Sequence, residues 1–166
     1  MRAVDMTGHW RVIKLCLVVL AWLLWPAPAR AASIPPETEA ALRTADYIYV
    51  ATRRHSGALS EIKPIWFYYD GDKIFFTTTP DSWKAKRIAH GSPLYIWVGS
   101  QGGPFVEGKA EPVTDPALVD RMGDAYAKKY WIAWLGFFKP RSDRVTAGKT
   151  NAYLVTPTHA EEPEKK

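Results

Sequence analysis

Hydroxyl and cationic side chains are concentrated in residues 75–87, FFTTTPDSWKAKR. Thr77 and Thr78 come first, and Ser82, Lys84 and Lys86 follow within a few positions. Such groups hold phosphate through charge-assisted hydrogen bonds, and a helix starting here would add free backbone N–H donors. The stretch therefore predicts a phosphate site. An ordinary capped helix with a solvated basic face has the same sequence signature, so this alternative stays open.

The sequence gives little indication of a metal site, a nucleophile or a general acid or base. His55, His90 and His159 have no metal-ligand partner three or four residues away, so no protein-built metal site is predicted. Cys16, the only cysteine, lies in the N-terminal apolar run, which excludes a disulfide or a thiol nucleophile for the rest of the chain. The nucleophile motif G-x-S-x-G does not occur, and no general acid or base stands out. Catalytic residues therefore stay unknown.

The elements that must position the phosphate site are mostly strands. Segments rich in β-branched and aromatic residues predict strands at 47–53, 62–69, 73–78, 94–98, 105–113, 144–147 and 151–156. The Asp70-Gly71 pair predicts a tight hairpin, and Pro64 predicts a sheet edge or a bulge.

Two or three helices interrupt these strands. The first is predicted at 35–43, and the second at 81–90 with Thr79 as N-cap and Pro80 at the first helical position. A longer one is predicted at 117–130, with 131–138 either continuing it or forming a loop. The pattern predicts a mainly β fold, an antiparallel barrel with helical decoration.

Four aromatic residues recur every four positions near the third helix: Tyr126, Tyr130, Trp134 and Phe138. On one continuous helix this spacing gives a wide apolar stripe. The stripe is expected to be buried in the core or in a dimer interface.

The sequence resembles the pyridoxamine 5′-phosphate oxidase-like, FMN-binding split barrels over about residues 36–156. The resemblance rests on KPIWF at 63–67, on the hairpin at 70–72, on IFFTT at 74–78 followed by Ser82-Trp83-Lys84, and on FVEGKAE at 105–111. It implies an antiparallel split β-barrel in which two copies pair and the cofactor lies at their interface. A homodimer is therefore expected.

The resemblance also implies roles for individual residues. The phosphate and ribityl contacts of FMN would come from Thr77, Thr78, Ser82, Lys84 and Lys86. The isoalloxazine ring would be lined by Lys63, Pro64, Ile65 and Trp66.

The sequence departs from the pattern of this family in its C-terminal segment, and the difference bears on the expected substrate. Pyridoxamine phosphate oxidases proper close with an Arg-x-His pair that grips the substrate, and the segment after Asn151 has no such pair. Vitamin B6 oxidation is therefore not expected. Relatives that use a deazaflavin or haem in the same barrel remain alternatives, as does a structural barrel without a cofactor.

The N-terminus predicts export. Basic residues precede the apolar run LCLVVLAWLLW at 15–25, and an A-x-A cleavage signal follows at 29–31. Residues 1–31 are therefore predicted to be a secretory signal peptide, 32–157 the flavin-binding barrel, and 158–166 a disordered charged tail. The run is too short for a stable membrane anchor. The protein is expected in the periplasm or secreted.

Much of the positive charge belongs to this leader. The whole chain has a formal net charge of +5, and without residues 1–31 the charge is nearly balanced, so a nucleic-acid partner is not expected. The sequence thus predicts an exported FMN-binding flavoprotein, an oxidoreductase acting on a small organic substrate.

Overall fold

The computed structural model describes residues 34–71 and 73–159. The predicted signal peptide and the charged residues from 160 onward lie outside the described residues. Within them, no helix is both long enough and apolar enough to span a bilayer.

Seven strands form one antiparallel sheet in the order β2-β1-β5-β6-β7-β4-β3. Their bounds are β1 Ile48–Thr52, β2 Lys63–Ile65, β3 Tyr68–Asp70, β4 Lys73–Thr78, β5 Leu94–Val98, β6 Phe105–Pro112 and β7 Asn151–His159. The fold is mainly β, an antiparallel split barrel, which confirms the predicted fold class.

A bend in the segment predicted as one strand gives the sheet its barrel shape. β2 and β3 lie at opposite edges of the sheet, yet only Trp66 and Phe67 separate them in the chain. Three Cα–Cα steps reach about 11 Å at most. The sheet must therefore curl until its two edges come close together. Pro64 lies on edge strand β2, as predicted, where its missing N–H does no harm.

Five helices decorate the sheet: α1 Pro36–Thr44, α2 Trp83–Ala89, α3 Pro116–Lys129, α4 Trp131–Trp134 and α5 Ser142–Thr146. The strand predicted at 144–147 is wrong, because this segment belongs to α5. Its first turn is tied to α3, where Asp120 accepts hydrogen bonds from the backbone N and the hydroxyl of Ser142. This contact is between elements distant in sequence, so it overrides the local strand preference.

The start of α2 also differs from the prediction. Ser82, rather than Thr79, is the N-cap, and its Oγ accepts a hydrogen bond from Ala85 N at 3.1 Å. The helix therefore begins at Trp83, and Pro80 precedes it.

The aromatic stripe divides where α3 ends. Tyr126 and Tyr130 are buried, whereas Trp134 and Phe138 are 74% and 76% exposed. Tyr130 is extended, with φ −119° and ψ 112°, so the helical spacing does not continue through it. Only the first half of the stripe is core.

Two buried tyrosines hold the bend between β2 and β3. The hydroxyl of Tyr126 donates to Trp66 O at 2.9 Å. The hydroxyl of Tyr130 donates to Asp46 O at 2.7 Å and accepts from Phe67 N at 3.1 Å. Burial raises the pKa of Tyr130 to about 12. The tyrosines thus supply partners for backbone groups that have left the ladder.

Gly123 is expected to resist substitution, although it lies inside α3. A Cβ there would be 2.4 Å from Pro140 O and 2.9 Å from Lys139 Cε. Alanine normally stabilises a helix interior by about 1 kcal/mol relative to glycine. Because Pro140 O belongs to the backbone, we expect Gly123→Ala to destabilise instead, by about 1–3 kcal/mol as overpacking does. Urea denaturation followed by circular dichroism measures the change, and a gain in stability would contradict the close approach.

Candidate functional site

A polar groove of about 330 Å³ lies between the start of α2 and the strands β1 and β2. We call it the phosphate groove. Its polar and charged lining residues are Thr52, Arg54, Ser60, Glu61, Lys63, Ser82, Lys84 and Arg87. The pairing of β1 with β2 and the capped start of α2 bring these side chains together.

Among the cations that line the groove, Lys84 is the one whose pKa is lowered by burial. Its side chain is partly buried in the groove, and burial lowers its pKa below the ordinary value for lysine. Among the described residues, no carboxylate lies within ion-pair distance of it. A desolvated charge without a partner is unfavourable, and a bound phosphate would compensate it.

Thr78 and Ser82 carry hydroxyls at the start of α2; Ser82 lines the groove with Lys84, whereas Thr78 is not among the lining residues. Thr78 Oγ1 lies 3.1 Å from Ser82 Oγ, so the two side chains form one hydroxyl pair. Ser82 Oγ accepts from Ala85 N, and one hydroxyl of the pair donates to the other, so the pair has one hydroxyl proton left for a further acceptor.

Lys63 reaches the groove from the strand edge but is not free. Its Nζ pairs with Glu61 at 2.6 Å, and both side chains are exposed. Exposed ion pairs contribute about 0–1 kcal/mol, so an incoming anion can replace the carboxylate at little cost.

Arg87 and Arg54 belong to the groove but were not among the predicted contacts. Arg87 Nη1 lies 3.4 Å from Thr52 Oγ1, and Arg54 enters from the end of β1. Arg87 lies three residues after Lys84 in the same basic segment, so the sequence pattern could have predicted it as a further anion contact. The sequence pattern contains no indication of Arg54, because this residue reaches the groove only through the pairing of β1 with β2.

Lys86, predicted as a phosphate contact, lines a neighbouring cavity instead. This cavity, the basic pocket, has a volume of about 660 Å³ and shares Arg54, Trp83 and Arg87 with the phosphate groove. Lys86 is exposed, and its Nζ lies 5.2 Å from the centre of the Trp83 ring.

The side chains of Thr77 and Thr78 lie on opposite faces of β4. Thr78 shares its face with Ile74 of the main core, whereas Thr77 shares the opposite face with Phe75. Thr77 interacts with the Tyr126 hydroxyl. The two hydroxyls therefore point to different surroundings, and Thr78 is the one beside Ser82.

The predicted ring-lining residues also separate. Pro64 is exposed, and Ile65 packs against the main core. Trp66 stacks on Tyr130 with ring centres 4.3 Å apart and meets Phe138 edge to face at 5.9 Å. Of these residues and Lys63, only Lys63 lines the phosphate groove. Their roles toward a flavin ring stay predictions.

Within residues 34–71 and 73–159, no three His, Cys, Asp or Glu side chains come together as a metal site. The groove and the pocket are cationic and suit an anion. What the geometry can do is hold a phosphorylated ligand next to a strand edge.

Solved structures share this fold. An F420 reductase is 23% identical, with a TM-score of 0.52 over 76% of this chain and 97% of that protein. General Stress Protein 26 from Bacillus anthracis is 15% identical, with a TM-score of 0.51 over 72% and 84% of the two chains. A related protein of the pyridoxinephosphate oxidase family from Clostridium acetobutylicum is 16% identical, with a TM-score of 0.52 over 73% and 81%. These likenesses establish the fold.

The comparison with curated proteins gives no match. The family model for pyridoxamine 5′-phosphate oxidase matches residues 34–162. This range contains every described strand and helix, together with the phosphate groove and the basic pocket. The chain therefore belongs to the pyridoxamine 5′-phosphate oxidase family.

Proposed function

We propose that the protein is an FMN-binding flavoprotein that acts as an oxidoreductase on a small organic substrate. The observation that carries the proposal is Lys84, a partly buried cation in a groove large enough for a phosphate, with no carboxylate partner among the described residues. Membership of the family supports a flavin as the ligand.

The groove suits the phosphate of FMN in charge and in donors. Lys84 and Arg87 supply cationic donors from α2, and Ser82 supplies a hydroxyl. Arginine can bind two phosphate oxygens at once, whereas lysine acts as a point charge. Bound FMN would supply the chemistry of electron or hydride transfer, and the protein would bind, orient and shield it.

A deazaflavin is the second candidate cofactor. It also carries a phosphate, so the groove suits both, and a solved structure of similar fold is an F420 reductase. The two cofactors differ in their absorption spectra, so the bound chromophore distinguishes them.

The exposed aromatic segment after α3 fits a homodimer. Five apolar side chains within the segment 131–138 are each more than half exposed: Trp131, Trp134, Leu135, Phe137 and Phe138. Such a concentration of exposed apolar side chains is typical of an interaction surface. In our proposal a second copy covers this surface, and the aromatic side chains help to exclude water from the cofactor.

Export is part of the proposal. Residues 1–31 have the charge, length and cleavage pattern of a secretory signal, so we place the protein in the periplasm or outside the cell. FMN would then be acquired after translocation.

FMN affinity is expected to fall as the pH rises through the alkaline range. Burial lowers the pKa of Lys84, so the ammonium group loses its proton below the pH at which an ordinary lysine does, and its attraction for phosphate is lost with it. Bound phosphate favours the charged form, so binding should also take up a proton in this range. Titrating FMN fluorescence from pH 7 to pH 10 measures the effect.

Lys84→Arg is the matched control, because arginine keeps its charge throughout this range. The variant should bind FMN with an affinity that changes less with pH. If the wild type and Lys84→Arg show the same pH dependence, Lys84 does not contact the phosphate.

A further inference from the structure

The basic pocket beside the phosphate groove has an unusual charge balance. Arg53, Arg54, Lys86 and Arg87 line it together with His55 and His90, and no carboxylate is among its lining residues. Its volume of about 660 Å³ is twice that of the groove. Such a cavity attracts anions and concentrates them.

The cations of the basic pocket are not neutralised elsewhere. Arg53 donates to the hydroxyl of Tyr95 and to Gly57 O, and Arg87 donates to Thr52 Oγ1. These acceptors are neutral. In the described part of the chain, none of the four cations is within 4.0 Å of a carboxylate oxygen. Water and solvent ions therefore screen their mutual repulsion, and a bound anion would add a direct partner.

Trp83 gives the pocket one aromatic wall. The indole is 71% exposed, and both Lys86 Nζ and Arg87 Cζ lie within 5.7 Å of its ring centre. Cations held against an indole keep their charge available on the other side. A ligand that carries an acid group on a flat or apolar body would fit this arrangement.

The pocket and the phosphate groove meet at Arg54, Trp83 and Arg87, which line both. We propose that the basic pocket binds a second anionic group, a phosphate or a carboxylate of a small molecule, next to the phosphate in the groove. This inference rests on the proposed function for the first phosphate. The second group belongs either to an extension of the same cofactor or to a separate acidic molecule such as the substrate.

Inorganic phosphate is the probe for the test, because it does not depend on any flavin. Isothermal titration of the ligand-free protein should show two phosphate sites. Lys86→Gln should weaken one of them by about tenfold, and Lys84→Ala should weaken the other. Lys86→Arg should keep both sites, and so should Lys73→Gln, an exposed lysine that lines neither cavity.

Two results would overturn the inference: a single phosphate site that Lys84→Ala removes, or two sites that Lys86→Gln leaves unchanged. If FMN fails to bind but the Lys86-dependent phosphate site is present, the proposed function falls and the inference stands. The two failures are therefore distinguishable.

FAD and FMN distinguish the two sources of the second anion. An extended cofactor predicts that Lys86→Gln weakens FAD binding and leaves FMN binding unchanged. A separate acidic molecule predicts that Lys86→Gln leaves FAD binding unchanged, while phosphate still binds the Lys86 site after FMN has saturated the groove. Either result supports the second anion site. Absence of both, with FMN bound normally, would contradict it.

Discussion

Replacing Lys84 with alanine is expected to weaken FMN binding by about 10- to 150-fold. Hydrogen bonds to charged groups contribute about 1.5–3 kcal/mol, and 1.4 kcal/mol corresponds to tenfold in affinity. Lys84 has no carboxylate partner among the described residues, so its removal leaves no unpaired acid in the groove. The thermal midpoint of unfolding should therefore stay the same or rise slightly.

FMN fluorescence quenching measures the affinity, and differential scanning calorimetry measures the midpoint. Lys73→Ala is the matched control, because Lys73 is an exposed lysine on β4 that does not line the groove. Adding Ser82→Ala should weaken binding further but also cost about 1 kcal/mol of stability, since Ser82 caps α2. Equal FMN affinity for the wild type and Lys84→Ala would place the phosphate elsewhere.

Replacing Tyr130 is expected to cause the largest loss of stability. Tyr130→Phe keeps the ring but leaves Phe67 N and Asp46 O without their hydroxyl partner, which costs about 1–3 kcal/mol. Tyr130→Ala also removes the ring stacked on Trp66 and opens a cavity, with a total cost of about 3–5 kcal/mol. The two variants thus separate the hydroxyl from the ring.

Chemical denaturation of both variants gives the free energies of unfolding. Trp83→Ala is the matched control, because Trp83 is also aromatic and lies at a helix end but is 71% exposed and outside the proposed dimer surface. Its effect should stay within about 0.5 kcal/mol. If Tyr130→Phe proves as stable as the wild type, the hydroxyl does not hold the bend between β2 and β3.

Local patterns were enough to predict the strands around the site. The Asp70-Gly71 hairpin, strand β4 and strand β5 are confirmed, because each combines a strong strand pattern with a turn signal next to it. The bend at Trp66 and Phe67 was not predicted. It depends on hydroxyl groups that come from α3 and its C-terminal end, far away in the sequence.

The candidate site was predictable only in part, because residues that are close in sequence do not all face the same cavity. Ser82 and Lys84 are close in sequence, and the structure brings them into one groove. Lys86 is two residues further along a helix, which turns it about 200° away from Lys84 and toward the basic pocket. Thr77 is separated from Thr78 by the alternation of a strand. Neighbouring residues of the same type can therefore lie on different faces, because successive side chains point about 100° apart on a helix and to opposite sides of a strand.

An absorption spectrum decides whether the protein holds a flavin. The chain from residue 32 onward would be mixed with FMN, passed through gel filtration and scanned in the visible range. We expect flavin bands to elute with the protein. A colourless protein that releases all FMN on the column would contradict the flavoprotein proposal and favour a barrel without a cofactor.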